Sequence, residues 1–257
     1  IFCEGFQFPT MKIYRAGKPD PELHRFIEVN SRFPELVLGD MRAQISACRL
    51  GERRFLDLIG KYGRETVFAC IHRIWDENEL LARRAVGAIR DGEYEARCVL
   101  DNDGITLDRP VPLTVKVIVA GSDMTIDFTG TSPQVAGPYN SRAANAVARI
   151  AFKYFTTPDL PANAGAFRNL HIVCPPGTVL SADARAPMAW WNMPVNSSID
   201  LILRALDPAL PRGATAGHSD NIGAGMLAGI DPRTGKPFQT FIPYAGAWGA
   251  TRDTDGL

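Results

Sequence analysis

The spacing of apolar residues divides the chain into an opening helical region, a strand-forming middle and a mixed remainder. The first twenty residues mix apolar and turn types and predict a loop or short strand. "PDPELHRFIEVNSR" predicts a short helix, with Asp20 as N-cap and Pro21 at the first helical position. Met41, Ile45 and Cys48, then Phe55, Leu58, Ile59 and Tyr62, recur at helical spacing. Gly51 is expected to bend or split this helix and Gly63 to end it. A second long helix is predicted from about Arg64 to Arg90. Its apolar stripe is Val67, Cys70, Ile71, Ile74, Leu81 and Ile89; its charged face includes Glu79 and Arg83 at i,i+4.

The period then becomes two. Tyr94, Ala96, Cys98 and Leu100 share one face of "EYEARCVL", and Leu113, Val115, Val117 and Val119 one face of "LTVKVIVA". Met124, Ile126 and Phe128 alternate with Thr125 and Asp127. "DNDG" and "AGSD" supply turns, so an antiparallel meander is expected. "NSRAANAVARIAFKYF" returns to helix, with Ala144, Val147, Ala148, Ala151 and Phe155 on one side. "LHIVCPPG" reads as a short strand. "NSSIDLILRALDPAL" reads as a helix capped by Asn196 or Ser197. The last forty or so residues are rich in glycine, alanine and turns, the kind of chain that lies along a site or a partner. Helices, an antiparallel β-meander and further helices, with a glycine-rich C-terminal segment, make the expected fold α+β.

Composition narrows the functional classes. At 257 residues and 46% hydrophobic, the chain can bury a sizeable core. Lys+Arg and Asp+Glu both number 28, so no net charge draws nucleic acid or an anionic membrane. No apolar run approaches the ~20 residues that span a bilayer. Five scattered cysteines without a CxxC argue against structural zinc or a disulfide framework, and for buried, reduced thiols in a cytoplasmic protein. Ile1 and the Gly256-Leu257 end are expected to be breaks in a longer chain.

General catalytic signatures are incomplete. "GIDPRTGKP" places Pro237 where a phosphate loop needs a hydroxyl, and reads as a surface turn. "GAGMLAG" has its third glycine displaced from the dinucleotide spacing. GxSxG is absent, and the histidines lack metalloprotease spacing. In "GHSDN", His218 beside Asp220 is either a base or metal ligand, or a solvated turn residue.

Several turns together carry more information. "EGFQFPTMKIYRAG" (Glu4–Gly17), "NSRFPELVLGDMRAQISACRLGERRFLDLIGKYG" (Asn30–Gly63), "RDGEYEA", "IDFTGTSPQVAGPYN" (Ile126–Asn140), "PDLPANAGAFRNLHIVCPPGTVL" (Pro158–Leu180) and "AGAWGATRDTDG" (Ala245–Gly256) resemble, in order, the hydantoinase B/oxoprolinase family. The resemblance spans almost the whole chain and implies one domain over 1–257, incomplete at both ends. It implies an enzyme subunit working with a hydantoinase A-type subunit or domain that binds ATP. The substrate would be a cyclic amide, such as a hydantoin or 5-oxoproline, phosphorylated on its carbonyl and then hydrolysed. Related assemblies carboxylate ketones, and a non-catalytic scaffold is a further alternative. The family's divalent metal segment is expected upstream of this chain. Trp190, Trp191 and Met193 depart from the family pattern, through either a bulkier substrate or subunit packing.

Two clusters follow as candidate sites. Asp127, on the meander's second face before Gly130, Thr131 and Ser132, is either a catalytic carboxylate beside exposed amides or an Asx-type turn. Asn140 is a substrate-binding candidate or an N-cap. Asn30, Arg32, Asp40 and Gln44 form the second cluster: Arg32 can hold an anion in bidentate fashion, and Asp40 is catalytic or caps the helix carrying Gln44. Arg168 and His218 complete the set.

Overall fold

The computed structural model describes residues 10–210, 215–217, 222–245, 249–251 and 253–256. They fall into two compact units that part between Ile74 and Trp75.

The first unit holds a short hairpin, β1 (Tyr14–Arg15) and β2 (Lys18–Pro19), then α1 (Pro21–Asn30), α2 (Pro34–Tyr62) and the first half of α3 (Arg64–Val86). Asp20 caps α1 as expected, accepting from Leu23 N–H at 3.1 Å. That bond and the Arg15 guanidinium hold its carboxyl below the usual range. Leu23 and Ile27, one helical turn apart, are the buried side of α1. α2 departs from expectation in two ways. It begins at Pro34, and Gly51 leaves it unbroken, because one interior glycine costs a helix only about 1 kcal/mol. Gly63, at φ +81°, ends it.

The second unit is a two-layer arrangement. β3 (Gly92–Leu100), β4 (Val111–Ala120) and β5 (Asp123–Asp127) form the antiparallel meander. β6 (Leu170–Val173) extends it beside β5, in parallel, giving the order β3-β4-β5-β6. A parallel neighbour requires a crossover, and α4 (Ala144–Thr156) lies in it. The buried face carries Val111, Leu113, Val115, Val117, Val119, Met124 and Ile126. α4 and α5 (Asn192–Leu206) pack with this face in one core, through Val147, Phe152, Leu201, Ile202 and Leu206 among others. Asn196 and Ser197 lie inside α5 rather than capping it, because the helix starts at Asn192. α3 stops at Val86, short of Arg90, and Ile89 is buried in the turn that follows.

The glycine-rich end is a hairpin of β7 (Ile222–Ile230) and β8 (Pro237–Ala245). Its connection is the surface turn expected at "DPRTGK", closed by Asp231. Among the described residues Cys48 and Cys70 are exposed, not buried, and Cys98 and Cys174 are half-buried; all four are free thiols. No described helix is long and apolar enough to cross a membrane.

Candidate functional site

A cavity of about 780 Å³ opens beside the edge strand β3. Period two puts Cys98 and Leu100 on the inner face of β3, toward α5. On α5, Met193, Ser197, Leu201 and Arg204 recur at helical spacing and line the opposite wall, with Asp200 beside them. Asn102, Tyr139 and Thr215–Gly217 complete the lining. Arg204 donates to the carbonyl of Arg97, which ties α5 to the sheet edge. The volume falls in the range of about 300–1,000 Å³ typical of small-molecule sites. Leu100, Leu201, Met193 and the Tyr139 ring offer apolar contact, while Ser197 and Asp200 offer polar groups.

The loops that frame this cavity are held from inside. Asp103 is buried, and its carboxylate accepts from Ile105 N–H (2.9 Å), Thr106 N–H (2.7 Å) and Gly137 N–H (3.2 Å). Burial alone would raise its pKa, but those donors outweigh it and leave the carboxyl below the usual value. Gly137 approaches so closely that an added Cβ would lie 1.6 Å from the Asp103 carbonyl oxygen. Asn140 is fully buried. It accepts from Val135 N–H and donates to the carbonyls of Val135, Gly137 and Pro187, all at 2.8–3.0 Å. Asn140 is therefore a loop staple and not an N-cap; α4 begins at Ala144 after an Ala143 cap.

The rest of the Asp127–Asn140 stretch runs on from β5 beside the start of β4. Asp127 lies between the buried Ile126 and Phe128, directly across from Lys116, and its Oδ1 accepts from Thr129 N–H at 2.8 Å. The Asx-type turn is thus present. Burial pushes the Cys174 thiol up, a hydrogen bond with Thr178 works against this, and the Asp127 charge adds to the rise. Gly130 turns at φ +92°. Thr131 is buried, its Oγ1 donating to Thr114 C=O (2.9 Å) and accepting from Thr114 N–H (3.1 Å). Ser132 N–H donates to Pro112 C=O and its own carbonyl accepts from Val179 N–H. Thr131 and Ser132 thereby fasten the loop to the start of β4.

The second cluster lies in the first unit. Asn30 ends α1 and donates to Phe26 C=O at 2.8 Å. Arg32 is exposed between α1 and α2. Asp40 and Gln44 are exposed one turn apart on α2. Asp40 cannot cap that helix, which starts at Pro34. Arg168 pairs with Asp76 (2.7 Å) and Glu79 (2.9 Å), and Glu79 with Arg83 (2.8 Å), so Arg168 belongs to a surface ion network. His218 lies outside the described residues. Among the described residues no three His, Cys, Asp or Glu side chains converge as a metal site.

Sequence reasoning missed Asp103 and Tyr139. "DNDG" marks a turn, but nothing local says that its second aspartate receives an N–H from a residue 34 positions away. The exposed Trp190 and Trp191 do not line the cavity, whereas Met193 does.

Comparison with known proteins places these features in a family context. The family model described as hydantoinase B/oxoprolinase matches residues 1–257. The chain is 31% identical over 271 aligned residues to the putative D-/L-hydantoinase B-type subunit of Pseudomonas sp. strain NS671, covering 100% of this chain and 45% of that protein. Its fold matches the crystal structure of ATP-dependent caprolactamase from Pseudomonas jessenii with a TM-score of 0.89 at 27% identity, over 99% of this chain and 45% of that one. It also matches the nucleotide-free structure of acetone carboxylase with a TM-score of 0.84 at 16% identity, over 98% and 36%, a likeness of fold. The chain thus spans less than half the length of these relatives.

Proposed function

Because the chain belongs to the hydantoinase B/oxoprolinase family, we propose that it forms part of an ATP-dependent cyclic amidohydrolase and contributes the binding wall for the ring. The cavity between β3 and α5 is the observation that carries this reading. It has the volume of a small-molecule site, apolar side chains and the Tyr139 ring to receive ring methylenes, and Ser197 and Asp200 to address an amide. Support for the reaction class comes from relatives described as a hydantoinase component and an ATP-dependent caprolactamase.

An amide carbonyl is a poor electrophile because the nitrogen lone pair is delocalised into it. Phosphorylation of the carbonyl oxygen by ATP, bound on a hydantoinase A-type partner, removes that stabilisation and makes the carbon open to water. The tasks left to this chain are to hold the ring, orient its carbonyl and keep bulk water from the activated carbon. Asp127, with its Oδ2 outside the turn, is proposed as a carboxylate acting on the other face of the sheet, apart from the cavity. Asp40, His218 and the surface bearing Asn30, Arg32 and Gln44 are assigned to contacts with substrate or partner. The setting is proposed to be cytoplasmic.

The test is an assay of the assembled enzyme, with its ATP-binding partner, against lactams, hydantoins, 5-oxoproline and, with bicarbonate, ketones. ATP-dependent ring opening is expected. ADP release that accompanies ketone carboxylation alone would overturn the hydrolase reading.

A further inference from the structure

Tyr139 is the aromatic residue among those that line the cavity. It is half-buried and lines the cavity together with Asn102. Its ring edge packs over Gly104, where an added Cβ would come within 3.3 Å of Cε2. Gly104 also sits at φ +81°, so both its conformation and the ring above it disfavour a side chain.

Every neighbour of Tyr139 along the chain is immobilised. Gly137 is pressed against Asp103, and the buried Pro138 accepts from Trp190 N–H at 3.0 Å. Asn140 bonds back to Val135 and Gly137 and across to Pro187 C=O. The bonds to Trp190 and Pro187 have a particular consequence. Pro187 and Trp190 belong to the segment that leads into α5 at Asn192, one residue before Met193. Tyr139 and Met193, both on the cavity wall, are therefore referenced to one hydrogen-bonded frame through Asn140–Pro187 and Pro138–Trp190.

We propose that Tyr139 is a specificity-determining residue of the cavity, its ring face forming the surface on which the methylenes of a cyclic amide lie, and that Asn140 is the positioning residue that sets the width between Tyr139 and Met193. The proposal rests on the cyclic amidohydrolase reading above. It assigns Asn140 an indirect part: every polar atom of its side chain is taken up by backbone groups, so it does not touch substrate.

The experiment uses the assembled enzyme with ATP and a series of lactams from five- to seven-membered rings. Tyr139→Ala is expected to raise KM for ε-caprolactam about tenfold, with kcat within about twofold, and to flatten the ring-size preference. Tyr139→Phe keeps the ring face and is expected to restore most of the KM and the ring-size preference lost in Tyr139→Ala. Asn140→Ala should raise KM in the same series, and the Tyr139→Ala/Asn140→Ala double variant should be no worse than the worse single variant, the coupling expected if both act through one wall. Should Asn140→Ala not fold, Asn140→Asp, which retains the acceptor for Val135 N–H but lacks the donors, takes its place. A working assembly whose KM and ring preference ignore Tyr139→Ala overturns this proposal alone. Additive effects of the two substitutions overturn the role given to Asn140. An assembly that opens no cyclic amide sinks the function reading, and this proposal with it.

Discussion

Asp127, at the end of β5, and Asp103, in the loop after β3, show how differently two aspartates of one sheet are used. Asp127 commits a single oxygen to a local turn, and asparagine can supply the same acceptor. Asp127→Asn should therefore keep the fold, with an unfolding midpoint indistinguishable from the wild type, while lowering cyclic amide turnover in the assembly about tenfold or more. Unchanged steady-state kinetics would remove Asp127 from the reaction. Asp103 uses both oxygens on three N–H donors, and an amide would set a donor against one of them. Its folded carboxyl lies below the ordinary 3.8. Its contribution to stability is thus complete above about pH 4 and is lost as pH falls through the folded value. Urea midpoints at pH 7, 4 and 3 should show Asp103→Asn weaker than the wild type at pH 7, with a shallower acid decline. Gly137→Ala, which forces a Cβ onto the Asp103 carbonyl, should cost at least the upper end of the about 1–3 kcal/mol seen for overpacking.

At the scale of elements, periodicity was the dependable guide. The faces of β3, β4 and β5, the Asp20 cap and the Gly63 stop all follow from residue spacing and local chemistry. Replacing Asp20 by Ala should lower the midpoint of thermal unfolding; no change would mean that the cap adds nothing beyond Pro21. What spacing could not show was set by contacts between distant residues. Asn140 looks like a cap because it precedes a helical pattern, yet its side chain is claimed by a loop that runs back to Val135 and across to Pro187. The cavity was invisible for the same reason: β3, the 139 loop and α5 contribute to it across more than one hundred positions of sequence, and none of these residues matches a catalytic pattern. The glycine-rich end read as turns because β7 alternates small residues with few β-branched ones; it is a hairpin nonetheless.

For the whole molecule, the proposed function places activity in an assembly, in line with a relative described as a subunit. Ring opening should require ATP and the partner together, and omission of either should leave no more than background hydrolysis. The sheet also has a history built into its order. β6 enters beside β5 only after about forty intervening residues, with α4 between them. On a ribosome, β5 emerges first and presents an unpaired edge until that crossover has left the exit tunnel. Chains released before Leu170 should therefore be the ones that chaperones hold and that precipitate, whereas chains extended past Leu206 bury both that edge and the face that α5 covers, and stay in solution.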